Sequence, residues 1–141
     1  MGRIYVVTGL PSKLMGSIGE TVSDKCYHTM DVAEPYHSLI KSGVKPVEGR
    51  KISPKWEIIQ IGDVIIMTCP DRDQFNVEVT KINFYLPSTG DPLTAYLNGE
   101  TLERALPGVT SMEEGRRIYL QWSTDEEIKK MGMMGIQVRV I

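Results

Sequence analysis

The sequence predicts one α+β domain, a small curled β-sheet or β-barrel flanked by short helices. Three observations predict it. A buried-strand pattern over 61–67 is followed by an alternating strand from Phe75, and together they read as an antiparallel hairpin. A closing strand runs from Gly135 to Ile141. Helical periods fill the spaces around them, and no repeat, low-complexity tract or linker divides the chain. With 141 residues it is long enough for a single domain, 1–141, with a real core.

From the N-terminus, Arg3-Ile-Tyr-Val-Val-Thr8 is a β-rich run ended by Gly9 and Pro11. Residues 12–33 have no sustained period and read as a loop or short-helix lead-in. Glu34-Pro35 opens a helix, since proline suits the first helical position and an acid there favours the helix dipole. Tyr36, Leu39 and Ile40 share its inner face, and Ser42-Gly43 stops it. Residues 46–51 read as a short strand. Ser53-Pro54 begins a turn or a single helical turn that carries Trp56. Gly62-Asp63 punctuates before Val64–Met67, a stretch apolar enough to be buried on both faces. Cys69 at its end reads as a small core residue.

Asp71 to Gln74 make the turn of the hairpin. Phe75, Val77, Val79 and Ile82 then point inward, and Pro87 ends the strand. Asp91-Pro92 caps a helix that reaches Gly99, and Glu100–Ala105 is a second short piece. Ser111 to Glu114 and Ser123 to Glu126 both read as capping boxes. Behind the first, Gly115, Ile118, Tyr119 and Trp122 fall on one core-facing stripe. Gly132 ends the last helix. In the closing strand Ile136, Val138 and Val140 point inward.

A net charge of −2 excludes a wholesale basic nucleic-acid coat but leaves room for a local patch. The charges are segregated. Residues 41–55 carry five cations against Glu48, a local balance of +4. Residues 91–127 carry eight acids against three arginines, a balance of −5, and form a candidate surface for a protein partner. Two cysteines are too few for a disulfide framework and suggest a reducing compartment. No apolar run approaches the ~20 residues of a membrane span, and the N-terminus lacks a signal-peptide pattern. A cytoplasmic protein is expected, or a nuclear one if the source is eukaryotic. Cys26, His28, His37 and Cys69 have no recognisable ligand spacing, so neither a metal nor a cofactor is expected.

Nucleophile-elbow, P-loop, dinucleotide and metalloprotease motifs are all missing. The chemistry concentrates instead in Gly43-Val-Lys45-Pro-Val-Glu48-Gly-Arg50, two cations and a carboxylate between glycines. Lys45 follows a helix stop and is expected at the rim of the core. The cations can hold a phosphate or polarise a carbonyl, and Glu48 can accept from the exocyclic amine of a base. A lysine beside glutamates can also serve acid–base chemistry if partly buried. Trp56, close to this basic cluster, can stack a base or simply lid the core. A plain Lys45–Glu100 or Arg50–Glu48 salt bridge would use the same residues with no ligand.

That run resembles the Gly-x-Lys-x-x-Glu-x-Arg signature of the ASCH domain family, part of the PUA-like superfamily. Ile61-Gly-Asp-Val-Ile65 is similar to the family's Gly-Asp-x-Ile strand. Leu106-Pro-Gly-Val109, with Ser111-Met-Glu-Glu-Gly115 and Tyr119, resembles the Leu-Pro-Gly, Glu-Glu-Gly and Tyr run of one ASCH branch. The resemblance covers 34–141 and leaves 1–33 as an N-terminal extension. It implies a PUA-like barrel with a helix at its mouth, and a cleft where the lysine loop faces the acidic segment. It also implies recognition of RNA or a modified nucleoside. Lys45, Glu48, Arg50, Lys51, Trp56 and Tyr119 are then the candidate ligand-binding residues. Some members are amidohydrolases that remove the acetyl group of N4-acetylcytidine, and others are ribonucleases. The amidohydrolases use a lysine, a threonine three residues later and a distant glutamate. Lys45 matches the lysine and Glu100 the glutamate, but Glu48 stands at the threonine position, so the presumed nucleophile is missing. If the chain is an enzyme, Lys45, Glu48 and Glu100 are the catalytic candidates. The expected function is RNA or nucleotide binding, with hydrolysis of a modified nucleoside or of RNA as the alternative.

Overall fold

The computed structural model describes residues 25–141, and the β-rich run Arg3–Thr8 lies outside the described residues. Strands β1 (Tyr27–Asp31), β2 (Val47–Lys51), β3 (Val64–Cys69), β4 (Arg72–Tyr85) and β5 (Met133–Val140) form one five-stranded sheet. Its spatial order is β1-β3-β4-β5-β2. β1 runs parallel to β3, and the other neighbours are antiparallel. Helices α1 (Tyr36–Lys41) and α2 (Pro54–Glu57) flank β2 in the chain. Four more fill the connection from β4 to β5: α3 (Pro92–Glu100), α4 (Leu102–Ala105), α5 (Met112–Tyr119) and α6 (Asp125–Met131). Among the described residues no helix is long and apolar enough to cross a membrane.

The sheet separates two cores. Met30, Ile65, Met67, Val77, Met134 and Ile136 pack on one side, with Tyr36 of α1 and Trp56 of α2 against them. Val47, Leu93, Tyr96, Leu97, Tyr119 and Met133 pack on the other, against α3 to α6. β5 lies between β4 and β2 and feeds both cores, so Met133 to Ile136 are buried without alternation. Each fully buried aliphatic side chain stabilises by roughly 1.5–3 kcal/mol relative to exposure. Gly49 and Gly135 are register partners on β2 and β5, and both face α3. A Cβ on Gly49 would enter the Tyr96 ring, and one on Gly135 would meet Glu100 Oε2 at 2.6 Å.

β4 explains an irregularity in the sequence. Its inward residues run Val77, Val79, then Ile82, one position out of step. The register shifts between Val79 and Lys81, so a bulge at this point restores the inward side at Ile82.

Several expected elements are placed differently. A strand, β1, stands where a loop or short helix was expected, because its parallel partner β3 lies far along the chain and five residues show no period by themselves. Pro35 is the N-cap and α1 starts at Tyr36. Cys26 is buried, whereas Cys69 is only half-buried at the hairpin end. The second capping box is one residue later than expected, Thr124 with Glu127, since both offsets carry the required spacing. Ser111 does accept from the Glu114 N–H. Helix α5 ends at Tyr119, so Trp122 falls beyond the stripe and is 57% exposed. Val140 overhangs the core at the end of β5 and is also exposed.

Among the described residues β1 and β2 are the two edges of the sheet, and the curl brings them back toward each other. Arg50 on β2 donates from Nη2 to the Asp31 carbonyl at the end of β1, at 2.8 Å. The result is a half-barrel with one open seam.

Gly62, in the turn before β3, sits at φ 94° and donates its N–H to Val79 O at 2.8 Å. A β-branched residue is strained there. Gly62→Val is expected to lose about 1–3 kcal/mol in urea unfolding, and an unchanged midpoint would contradict the turn.

Candidate functional site

A cavity of about 580 Å³ occupies the seam. Asp31 and the two residues after β1 line one side, and Glu48 to Lys51 of β2 line the facing side. Trp56, Tyr119 and Trp122 complete the wall. The open edge of the half-barrel is thus where the expected basic loop and the expected aromatic residues meet.

The loop's geometry follows from the helix stop. Gly43 takes φ 85°, and the Lys45 N–H donates to Leu39 O at 3.0 Å, which turns the chain back under α1. Lys45 therefore points inward and is 1% exposed, in contrast to the expected place at the rim. Its Nζ donates to Ala105 O, lies 3.4 Å from Glu48 Oε1, and stands 5.4 Å from the Tyr36 ring centroid. Burial lowers the Lys45 pKa, the Glu48 carboxylate opposes that shift, and Arg50 adds to it. Glu48 and Arg50 are two apart on β2 and share a face. Glu48 Oε2 accepts from Arg50 Nε at 3.1 Å and lies 3.0 Å from Nη2. The carboxylate is therefore clamped between two cations. That pairing is what makes a nearly buried charge tenable.

The other sequence candidates divide. Trp56 is packed by cations, Arg50 Cζ at 5.3 Å and Lys55 Nζ at 4.7 Å from its ring. Lys51 is at the cavity edge and forms a 3.6 Å pair with the exposed Glu127, a contact that solvent weakens. Tyr119 is buried and shares a 2.7 Å hydroxyl–hydroxyl hydrogen bond with Tyr96. Burial first, then the Glu48 charge, push the Tyr119 pKa up, so it stays a neutral phenol. Lys41 does not join the cluster. It does not line the cavity but a smaller groove with Arg139, which Lys45 also borders.

Glu100 is elsewhere. It is fully buried beneath α3 and accepts from Tyr85 Oη at 2.6 Å, Asn83 Nδ2 at 2.8 Å and Gln137 Nε2 at 3.0 Å. Neither it nor these donors line the cavity. Burial pushes the Glu100 pKa up, but the three donors and Arg104 outweigh it and the net shift is downward. The structure thus brings Lys45, Glu48, Arg50, Lys51, Trp56 and Tyr119 to one cavity and leaves Glu100 out of its lining. Sequence reasoning missed Asp31, Tyr36 and Trp122 as lining residues. In the sequence Tyr36 and Trp122 read as core-facing helix residues, and β1 has no period that singles out Asp31.

Glu48→Ala leaves Lys45 buried without its carboxylate and is expected to cost about 3–5 kcal/mol in urea unfolding. Lys45→Met leaves Glu48 paired with Arg50 and costs less. Adding Lys45→Met to Glu48→Ala recovers part of the loss, and strict additivity of the two would show that the pair is uncoupled. For Glu100 the folded pKa lies below its ordinary 4.5, so its stabilisation is complete above that value and is lost as pH falls through the folded one. Glu100→Gln is expected to be about 1.5–3 kcal/mol less stable near neutral pH. Its deficit narrows on acidification, and a deficit constant with pH would overturn the ionised, hydrogen-bonded Glu100.

No protein-family model matches the chain, and no curated protein matches it. Solved structures do. Hypothetical protein PH0355 is 35% identical, with 82% of this chain and 99% of that one covered, at a TM-score of 0.72. Protein PF0455 from Pyrococcus furiosus is 32% identical, over 82% of this chain and 97% of its own, at a TM-score of 0.65. ASCH from Zymomonas mobilis is 15% identical, over 79% of this chain and 65% of its own, at a TM-score of 0.52, a likeness that shows the fold. The chain therefore shares the fold of the Zymomonas mobilis ASCH protein and belongs to the family of PH0355 and PF0455.

Proposed function

We propose that the chain binds RNA or a nucleotide, with a base entering the seam cavity. The carrying observation is the Lys45–Glu48–Arg50 set lying in a cavity walled by aromatic side chains. A base needs those three things together. A planar face gives stacking, a carboxylate accepts from an amine edge, and an ammonium donates to a ring carbonyl or nitrogen. Lys51, with its loosely held ion pair at the cavity edge, is the cation best placed to meet a phosphate. The ASCH fold is consistent with this reading.

A second reading is hydrolysis, of an acylated base such as N4-acetylcytidine or of RNA. One observation favours it: Lys45 is buried with a lowered pKa and its Nζ lies 3.4 Å from the Glu48 carboxylate. The position of Glu100 beneath α3 weighs against the three-residue arrangement of the acetylcytidine amidohydrolases.

Titrating a short single-stranded RNA across a salt series separates these readings. Binding is expected at low salt with a log-linear decline, and Lys51→Ala is expected to reduce the slope by about 0.7. Lack of affinity at low salt for both the RNA and free nucleotides would overturn the binding reading. Turnover of N4-acetylcytidine or of the RNA by the pure protein would move the assignment to hydrolysis.

A further inference from the structure

We infer that Trp122 is the stacking platform of the cleft, and that the base it takes is an unpaired one, as in single-stranded RNA. The inference rests on the binding reading above and assigns a role that Trp56, the tryptophan beside the basic loop, does not fill. Trp56 carries two cations over its ring, Arg50 at 5.3 Å and Lys55 at 4.7 Å, so its π-surface is already engaged. Trp122 lines the same cavity and is 57% exposed. A single exposed apolar residue is unremarkable in itself. Trp122 differs in its position and its support.

The position is the loop between α5 and α6, next to Ser123, which also lines the cavity. The support is double. The backbone is held on both sides: the Trp122 N–H donates to Tyr119 O at 3.1 Å, and Thr124 begins the capping box of α6 two residues on. The ring ends a run of edge-on aromatic contacts. Tyr85 meets Tyr96 at 5.9 Å, Tyr96 meets Tyr119 at 5.4 Å, and Tyr119 meets Trp122 at 6.3 Å, with interplanar angles of 73°, 88° and 77°. Tyr119 and Tyr96 are also tied by their hydroxyls. Trp122 is thus a large aromatic side chain on an ordered backbone, braced from the core and left open toward the cavity. A platform fixed before binding loses little freedom when it stacks. A base inside a duplex has both faces covered by its neighbours, so only an unpaired base can offer a face to the ring.

The test uses two single-tryptophan proteins, Trp56→Phe and Trp122→Phe, together with Trp122→Ala. Each is titrated with a mixed-sequence RNA octamer, with the same octamer annealed to its complement, and with an abasic ribose-phosphate oligomer of equal length. Emission from Trp122 in the Trp56→Phe protein is expected to be quenched by the single-stranded octamer and not by the abasic oligomer. Trp122→Ala is expected to weaken octamer binding roughly 5- to 100-fold while leaving the abasic oligomer unaffected, and Trp122→Phe retains most of the affinity. Matching melting temperatures show that the variants are folded. Equal octamer affinity in wild type and Trp122→Ala overturns the platform while leaving the binding reading intact. Equal affinity for the duplex overturns the unpaired-base assignment. A wild type that fails to bind the octamer overturns the platform for an unpaired RNA base, and one that also fails to bind free nucleotides overturns the binding reading with it.

Discussion

Arg50 bridges the open seam between the two edge strands of the described sheet. A curled sheet that stops short of closing leaves two edge strands with unpaired backbone groups. Direct pairing would bring β1 and β2 to about 4.8 Å and leave no space between them. Here one guanidinium spans the gap instead. It reaches the Asp31 carbonyl on β1 and the Glu48 carboxylate on its own strand, and it lies over the Trp56 ring. A planar group with several donors can do all three at once, which a lysine cannot. The guanidinium thus crosses the seam beside the cavity it helps to line. The Glu48 carboxylate orients Arg50 from one side, and the buried Lys45 lies against it from the other.

The opposite face of the sheet depends on a second polar device. Glu100 gathers donors from β4 and β5, so the end of α3 is pinned to two strands at once. Tyr96, one turn earlier on α3, passes that fixed position to Tyr119 through their shared hydrogen bond. One side of the cavity is therefore anchored to the sheet through a helix, and the other is the sheet edge itself.

Much of this was legible in the sequence. The β3–β4 hairpin, the strand at 46–51, the α2 turn and the closing strand each have a local period or turn residue that fixes them. The lysine loop announced itself by charge density between glycines, and its residues do converge. What was not legible depends on distant partners. β1 is a strand only because β3 offers it an edge. Lys45 looked like a rim residue because a helix stop usually leads outward, whereas Gly43 turns the chain under α1. Glu100 lay at a suggestive spacing from Leu106-Pro107-Gly108, yet Gly135, 35 residues later, provides the space it fills. Trp122 matched a helical stripe that ended one turn too early.

The facing glycines on β2 and β5 have a consequence for how this family can diverge. Gly49 makes room for Tyr96, and Gly135 makes room for Glu100, both on α3 and one turn apart. The four positions form two interlocked size pairs. Alanine at position 49 is compatible only with a smaller side chain at 96, and that in turn removes the hydroxyl that meets Tyr119. Alanine at 135 displaces the carboxylate at 100 and frees three donors. Neither strand position can drift alone, so a homologue that abandons one glycine is expected to have exchanged its helix partner as well. Such coupled exchange would make these four positions a more discriminating fingerprint of relatives than the charged loop, whose residue types recur in many unrelated salt bridges.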